Sequence, residues 1–107
     1  MNMVIDRVLS ALNAHDLEAF VDCYDSVALI EDDDSGVLAQ GHLEIRNRYA
    51  KMFATFPLLR VDSLSRWEIG PYVAQDDQVS GRSSEVEHHI AIYRIAGNLI
   101  ARERLFR

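Results

Sequence analysis

The sequence predicts an α+β fold, with helices packed on one face of a mostly antiparallel sheet. Two observations carry this expectation. Up to Phe56 the apolar residues mark three helical stripes interrupted by one short strand pair, and beyond Pro57 the pattern changes to long β-type runs. Helices first and sheet afterwards argue against alternating βαβ units. The length of 107 residues sets the scale: it buries one core and not two, so residues 1–107 are expected to form a single domain.

Each element follows in order. Val4, Ile5, Val8, Ala11 and Leu12 mark the first helix. Asn13-Ala14-His15-Asp16 interrupts it, with Asp16 placed to cap a second helix whose stripe is Leu17, Phe20, Val21 and Tyr24. Val27 to Ile30 is short and apolar and is bounded by acids, which predicts a strand. A turn at Asp34-Ser35-Gly36 and a short partner at Val37 to Ala39 follow, and Gly41 ends them. From His42 to Phe56, the positions Ile45, Tyr49, Met52, Phe53 and Phe56 make the clearest helical stripe, with Glu44 and Arg48 spaced as an i,i+4 pair. Strands are expected near 59–69, 72–79 and 84–96, then a turn at Gly97-Asn98 and a last strand from Leu99 to Phe106.

Composition excludes several classes. A net charge of −6 with no basic run makes nucleic acid an improbable partner. No segment approaches the ~20 apolar residues of a membrane span. The opening MNMVIDRVLSAL lacks a basic leader, so a cytoplasmic location is expected. The single Cys23 offers neither a disulfide nor a thiolate metal framework and is read as a packing residue. No metal or other cofactor is expected.

Three stretches, VLSALNAHDLEAFVDCYDSVALIEDDDSG, QGHLEIRNRYAKMF and IAIYRIAGNLIARERLF, resemble in order and spacing the nuclear transport factor 2-like superfamily, which includes ketosteroid isomerases and polyketide cyclases. The resemblance implies a cone-shaped, cystatin-like architecture, a curved sheet wrapped around the N-terminal helices, with a cavity between them and usually a dimer. Phe20, Tyr24, Tyr49, Met52, Phe53, Phe56 and Trp67 supply aromatic and apolar bulk that either lines such a pocket or fills the core.

Four acids, Glu31 to Asp34, close the first strand. Asp32 lies where the resembling isomerases carry the carboxylate that moves a proton. It shares strand parity with Ala28 and Ile30, whereas Glu31, Asp33 and Asp34 read as rim or turn residues. A fully solvated loop is the alternative. The rest of that machinery is missing, because the positions matching its Tyr and its protonated Asp are Val8 and Ala91. Steroid isomerisation by that route is therefore not expected.

Other residues stand near instead. If Ala91 faces the cavity, parity brings His89 and Tyr93 with it, and turns His88, Ile90 and Ile92 to an outer face suited to a homodimer contact. Ile100, Arg102, Arg104 and Phe106 share one parity, and the resemblance puts Arg104 and Phe106 on the cavity side, where Arg104 would pair with Asp32; a solvent-exposed terminal arginine is the alternative. Asp77, with Gln75 on its face, is a second partner candidate.

The expected catalytic set is Asp32, His89 and Arg104, with Phe20, Tyr24, Tyr49, Phe53, Trp67, Asp77, Tyr93 and Phe106 around the ligand. The function it suggests is that of an isomerase, hydrolase or lyase acting on a small, partly apolar organic molecule through an Asp base. A non-catalytic binding module and a dimerisation domain of the same fold are the alternatives.

Overall fold

The computed structural model describes residues 3–107. Its elements run α1 (Met3–Ala14), α2 (Leu17–Asp22), β1 (Tyr24–Asp32), β2 (Gly36–Gln40), α3 (Gly41–Thr55), β3 (Arg60–Ile69), β4 (Tyr72–Ser80), β5 (Glu87–Ala96) and β6 (Leu99–Phe106). The strands form one curved, unclosed sheet in the order β2-β1-β6-β5-β4-β3. All neighbours are antiparallel except β1 and β6. Helices precede most of the sheet and cover one face of it, as the sequence pattern predicts.

Local chemistry fixes the helix corner. The Asp16 carboxylate accepts the Ala19 N–H at 3.2 Å, which satisfies one of the free donors opening α2. His15 adopts a positive φ of 54°, and its ring stacks on Phe53 at 4.6 Å while Nε2 meets the Leu59 carbonyl at 2.9 Å. Two residues earlier, the Asn13 amide pairs with both the N–H and the carbonyl of Val61 at 2.8 and 2.9 Å, and so ties α1 to the edge strand β3.

Helix α2 is shorter than its stripe predicts. Cys23 caps it, and Tyr24 opens β1. Tertiary pairing wins over local periodicity here: Tyr24 lies beside Ile100 of β6, and the Ile100 N–H donates to the Cys23 carbonyl at 2.9 Å. In α3, the Glu44 carboxylate accepts the Gln40 N–H at 2.9 Å. It therefore serves the start of its helix and does not pair with Arg48.

The core joins Val4, Ile5 and Val8 of α1, Phe20 and Val21 of α2, Ile45 and Tyr49 of α3 and the inner sheet residues Ile30, Val73, Ala91 and Ile100. The Phe20 ring meets Tyr49 at 4.3 Å and Tyr24 at 5.2 Å, contacts worth about 1 kcal/mol each beyond burial. Gly81 closes β4 at a φ of 81°, where a Cβ would stand 1.9 Å from the Leu58 carbonyl oxygen. No side chain fits there, so this glycine lets the loop after β4 lie against the end of the α3–β3 connection.

Candidate functional site

The inner face of β4 to β6, together with α1 and α3, encloses a cavity of about 70 Å³. Leu9, Leu12, Met52, Leu59, Val61, Val79 and Leu105 supply its apolar wall. Asp77, His89, Tyr49, Tyr93, Glu103 and three arginines, Arg48, Arg82 and Arg107, supply its polar groups. By volume it has room for about two or three waters, and is far smaller than a steroid site.

Strand register builds the polar wall. Asp77 of β4 stands directly opposite His89 of β5, and Tyr93 of β5 directly opposite Glu103 of β6. All four are buried. Gln75, two residues before Asp77 on the same face, donates from Nε2 to Asp77 Oδ1 at 3.1 Å, and its own Oε1 accepts from Arg66 Nε at 2.9 Å. Burial pushes the Asp77 carboxyl up to about 6, against the lowering effect of the Gln75 amide. Glu103 is pushed up to about 7 by burial, with Tyr24 Oη donating to its Oε1 at 2.5 Å and Arg48 opposing the shift. His89 is shifted down, first by burial and then by Arg107 and Arg82. The Arg82 guanidinium contacts His89 Nε2 at 3.4 Å, which favours a neutral ring protonated on Nδ1. Burial raises Tyr49 and Tyr93, so their phenols stay protonated.

Asp32 is buried together with Ala28 and Ile30, as its parity predicts. Its carboxylate is fully engaged. Oδ1 accepts the N–H groups of Asp34 and Ser35 at 2.9 and 3.3 Å, and Oδ2 accepts Arg107 Nε at 2.8 Å. The Asp34 N–H leads the causes that hold this carboxyl below its usual value. The expected Asp32–Arg104 pair does not form. Arg104 points away from the cavity, lies over the Phe106 ring and reaches Asp33 at 3.5 Å.

A β-bulge is the reason. Ile95 pairs with Ile100 but Arg94 pairs with Arg102, so Ala101 is an extra residue and strand parity reverses beyond it. Ile100 faces inward, then Glu103 does, and Arg102 and Arg104 face out. The outward-facing Arg104 thus corrects the sequence expectation, and Glu103 takes the inner place. A signal for Glu103 existed in the apolar Leu105, which shares its alternation.

The remaining predicted residues divide. Tyr49, Asp77, His89 and Tyr93 meet at the cavity. Phe20 and Tyr24 are buried behind its wall, and Phe53 sits against His15. Trp67 is 57% exposed and shares an outer groove with Phe106, His88 and Ile90, so neither aromatic lines the cavity. They face outward because inner positions on their strands fall to other parities, Glu103 and Leu105 in the case of β6. Sequence reasoning missed Glu103, Arg48, Arg82 and Arg107. Among the described residues, no group of three or more His, Cys, Asp or Glu stands close enough to hold a metal ion, and no helix is long and apolar enough to cross a membrane.

A helix-covered curved sheet with this strand order and an inner cavity defines the nuclear transport factor 2-like class. Within it, the family model of the SnoaL-like domain matches residues 5–103, and the chain belongs to that family. Its fold is similar to that of an uncharacterised cystatin-fold protein from Novosphingobium aromaticivorans, with 20% identity, a TM-score of 0.91 and coverage of 98% of this chain and 96% of the other. It is also similar to a proposed polyketide cyclase from Sinorhizobium meliloti, with 18% identity, a TM-score of 0.88 and coverage of 98% and 94%. A protein of ketosteroid isomerase-like fold from Catenulispora acidiphila, solved in complex with trimethylamine, shares 14% identity at a TM-score of 0.84, over 97% of this chain and 84% of its own. No curated protein matches the chain in sequence.

Proposed function

We propose that the protein moves a proton on a small organic molecule held in the cone, with Asp77 as the base and His89 and Glu103 as its polar companions. The observation that carries this reading is the pair of buried carboxyls, Asp77 and Glu103, both on the cavity wall and neither in an ion pair among the described residues. A carboxyl in a dry site is retained at a cost unless it is used. With its value near 6, Asp77 is mostly ionised at neutral pH and still basic enough to take a proton from carbon. It breaks the C–H bond, and the electron pair moves to the neighbouring carbonyl oxygen. Glu103 in its protonated form and the phenols of Tyr49 and Tyr93 are the donors for that oxygen. Asp32 has a positioning role: it holds Arg107 at the rim.

The small cavity favours substrates of few atoms over a steroid. Supporting this scale, the neighbour from C. acidiphila was solved with trimethylamine. The test is deuterium exchange at the methyl group of pyruvate or its neutral amide, pyruvamide, followed by proton NMR in D₂O. Exchange faster than buffer, and lost about 100-fold or more in Asp77→Asn, is expected. Exchange at the buffer rate with both probes counts against the proposal.

The proposal extends to the outer sheet face as a contact between two copies. Ile69 at 76% exposure, Trp67 at 57% and the half-exposed Tyr72 and Ile90 on β3 to β5 support it. Light scattering is expected to report a dimer that Trp67→Lys converts to a monomer; a wild-type monomer overturns it. A cytoplasmic location belongs to the same proposal, in keeping with a sequence that holds one cysteine and so no disulfide framework.

A further inference from the structure

The cavity's three arginines are not equivalent. Arg82 Nε lies 2.9 Å from Glu87, and Arg107 Nε lies 2.8 Å from Asp32. Each of these two cations has its own carboxylate. Arg48 has none among the described residues. The acid at helical spacing from it, Glu44, is spent on the Gln40 N–H. Glu103, the carboxyl that Arg48 acts on across the cavity, takes the Tyr24 hydroxyl. Arg48 Nε is moreover sealed from solvent with no hydrogen-bond partner, alone among the buried side-chain nitrogens and oxygens of the described residues. A buried donor left unmade costs about 1–3 kcal/mol, and a charged one more, so a native chain keeps it only where something else fills the role.

Arg48 of α3 lines the same cavity as Asp77 and His89, which stand on the sheet side of it. We infer that Arg48 is the anchor for a carboxylate group of the ligand, and that the cavity takes short organic acids carrying a carbonyl, held by Arg48 at one end with the reacting carbon toward Asp77. Guanidinium and carboxylate match as a planar fork, which a neutral ligand of the same shape does not exploit. The size sets the upper limit: a cavity of about 70 Å³ admits acids of only a few carbons. The chain's net charge of −6 opposes anion approach from a distance, so recognition is local to this guanidinium. The inference deepens the proton-transfer reading, because it names the substrate class of that same cavity.

Pyruvate and pyruvamide are isosteres that differ in charge, and their affinities for the wild type, Arg48→Met and Arg48→Lys are measured by NMR titration. Thermal melts establish that each variant is folded. Pyruvate is expected to bind the wild type about tenfold or more tightly than pyruvamide, to lose that advantage in Arg48→Met and to regain part of it in Arg48→Lys. Equal affinity for both probes, binding of neither, or unchanged pyruvate affinity in folded Arg48→Met overturns the inference. The exchange experiment is read separately. Carboxylate-selective binding without exchange upholds the anion anchor and removes proton transfer, whereas equal exchange of both probes with no role for Arg48 does the reverse.

Discussion

The chain buries carboxyls in two regions and treats them in opposite ways. At the end of β1, Asp32 is held below the usual aspartate value, while on the inner face of β4 and β6, Asp77 and Glu103 are raised to about 6 and about 7. All three are similarly covered, at 4 to 5% exposure. Exposure alone does not separate them, but desolvation and donors together do: burial leads the causes that raise Asp77 and Glu103, whereas at Asp32 a backbone N–H leads and outweighs it. Asp32 receives two backbone N–H groups and a guanidinium, whereas Asp77 receives one amide and Glu103 one phenol. An acid beside a cavity becomes a base only when the fold withholds compensating charge from it.

The comparison breaks most directly by removing each acid in turn. Asp77→Asn is expected to lower proton exchange on the probe by about 100-fold or more, and Asp32→Asn by less than about tenfold. The Asn in place of Asp77 keeps an oxygen for the Gln75 amide, so a thermal melt should show a folded protein. If the two variants lose activity in the opposite ranking, the inner carboxyl is not the base.

A second, smaller effect concerns stability. Glu103 binds its proton more tightly in the folded chain than in the unfolded one, where its value is the ordinary 4.5. Its contribution is full below that ordinary value and is lost as pH rises through about 7. The span corresponds to about 3 kcal/mol. Glu103→Gln removes the titration and retains an acceptor for Tyr24. The variant should match the wild type in urea unfolding near pH 4 and exceed it by up to about 3 kcal/mol near pH 8. Equal stability of the two proteins at pH 8 would mean that the cavity wall is wetter than its burial implies.

The architecture was legible in the sequence because it rests on patterns longer than any local error. The stripe from Ile45 to Tyr49, the strand parity that buries Ala28, Ile30 and Asp32, and the closing hairpin at Gly97-Asn98 are all present. Part of the candidate cavity wall was legible for the same reason: His89 and Tyr93 share a face on an unbroken stretch of β5, and Asp77 shares one with Gln75. What failed were features decided by a single residue or by distant partners. The extra Ala101 turned Arg104 outward and Glu103 inward, and alternation alone does not announce a bulge. Tyr24 was claimed by β6 and Glu44 by Gln40, both through contacts that periodicity does not contain. Arg107 lies beyond the last strand, where no parity applies.

Arg107 also supplies the finest test of the comparison. If the backbone donors of Asp34 and Ser35 dominate at Asp32, removing the guanidinium should leave that carboxyl still below its ordinary value of 3.8. Arg107→Gln is expected to raise the Asp32 midpoint slightly in a carbon-detected NMR titration and to raise that of His89, which Arg107 now holds down. The His89 shift is informative because Arg82 remains beside it, so the ring should stay below its ordinary 6.5. A large rise at Asp32 would show that the guanidinium and not the turn keeps it ionised. The two acidic regions would then differ by one side chain rather than by backbone geometry, and Asp32 would regain its claim as a base whenever Arg107 swings into solvent.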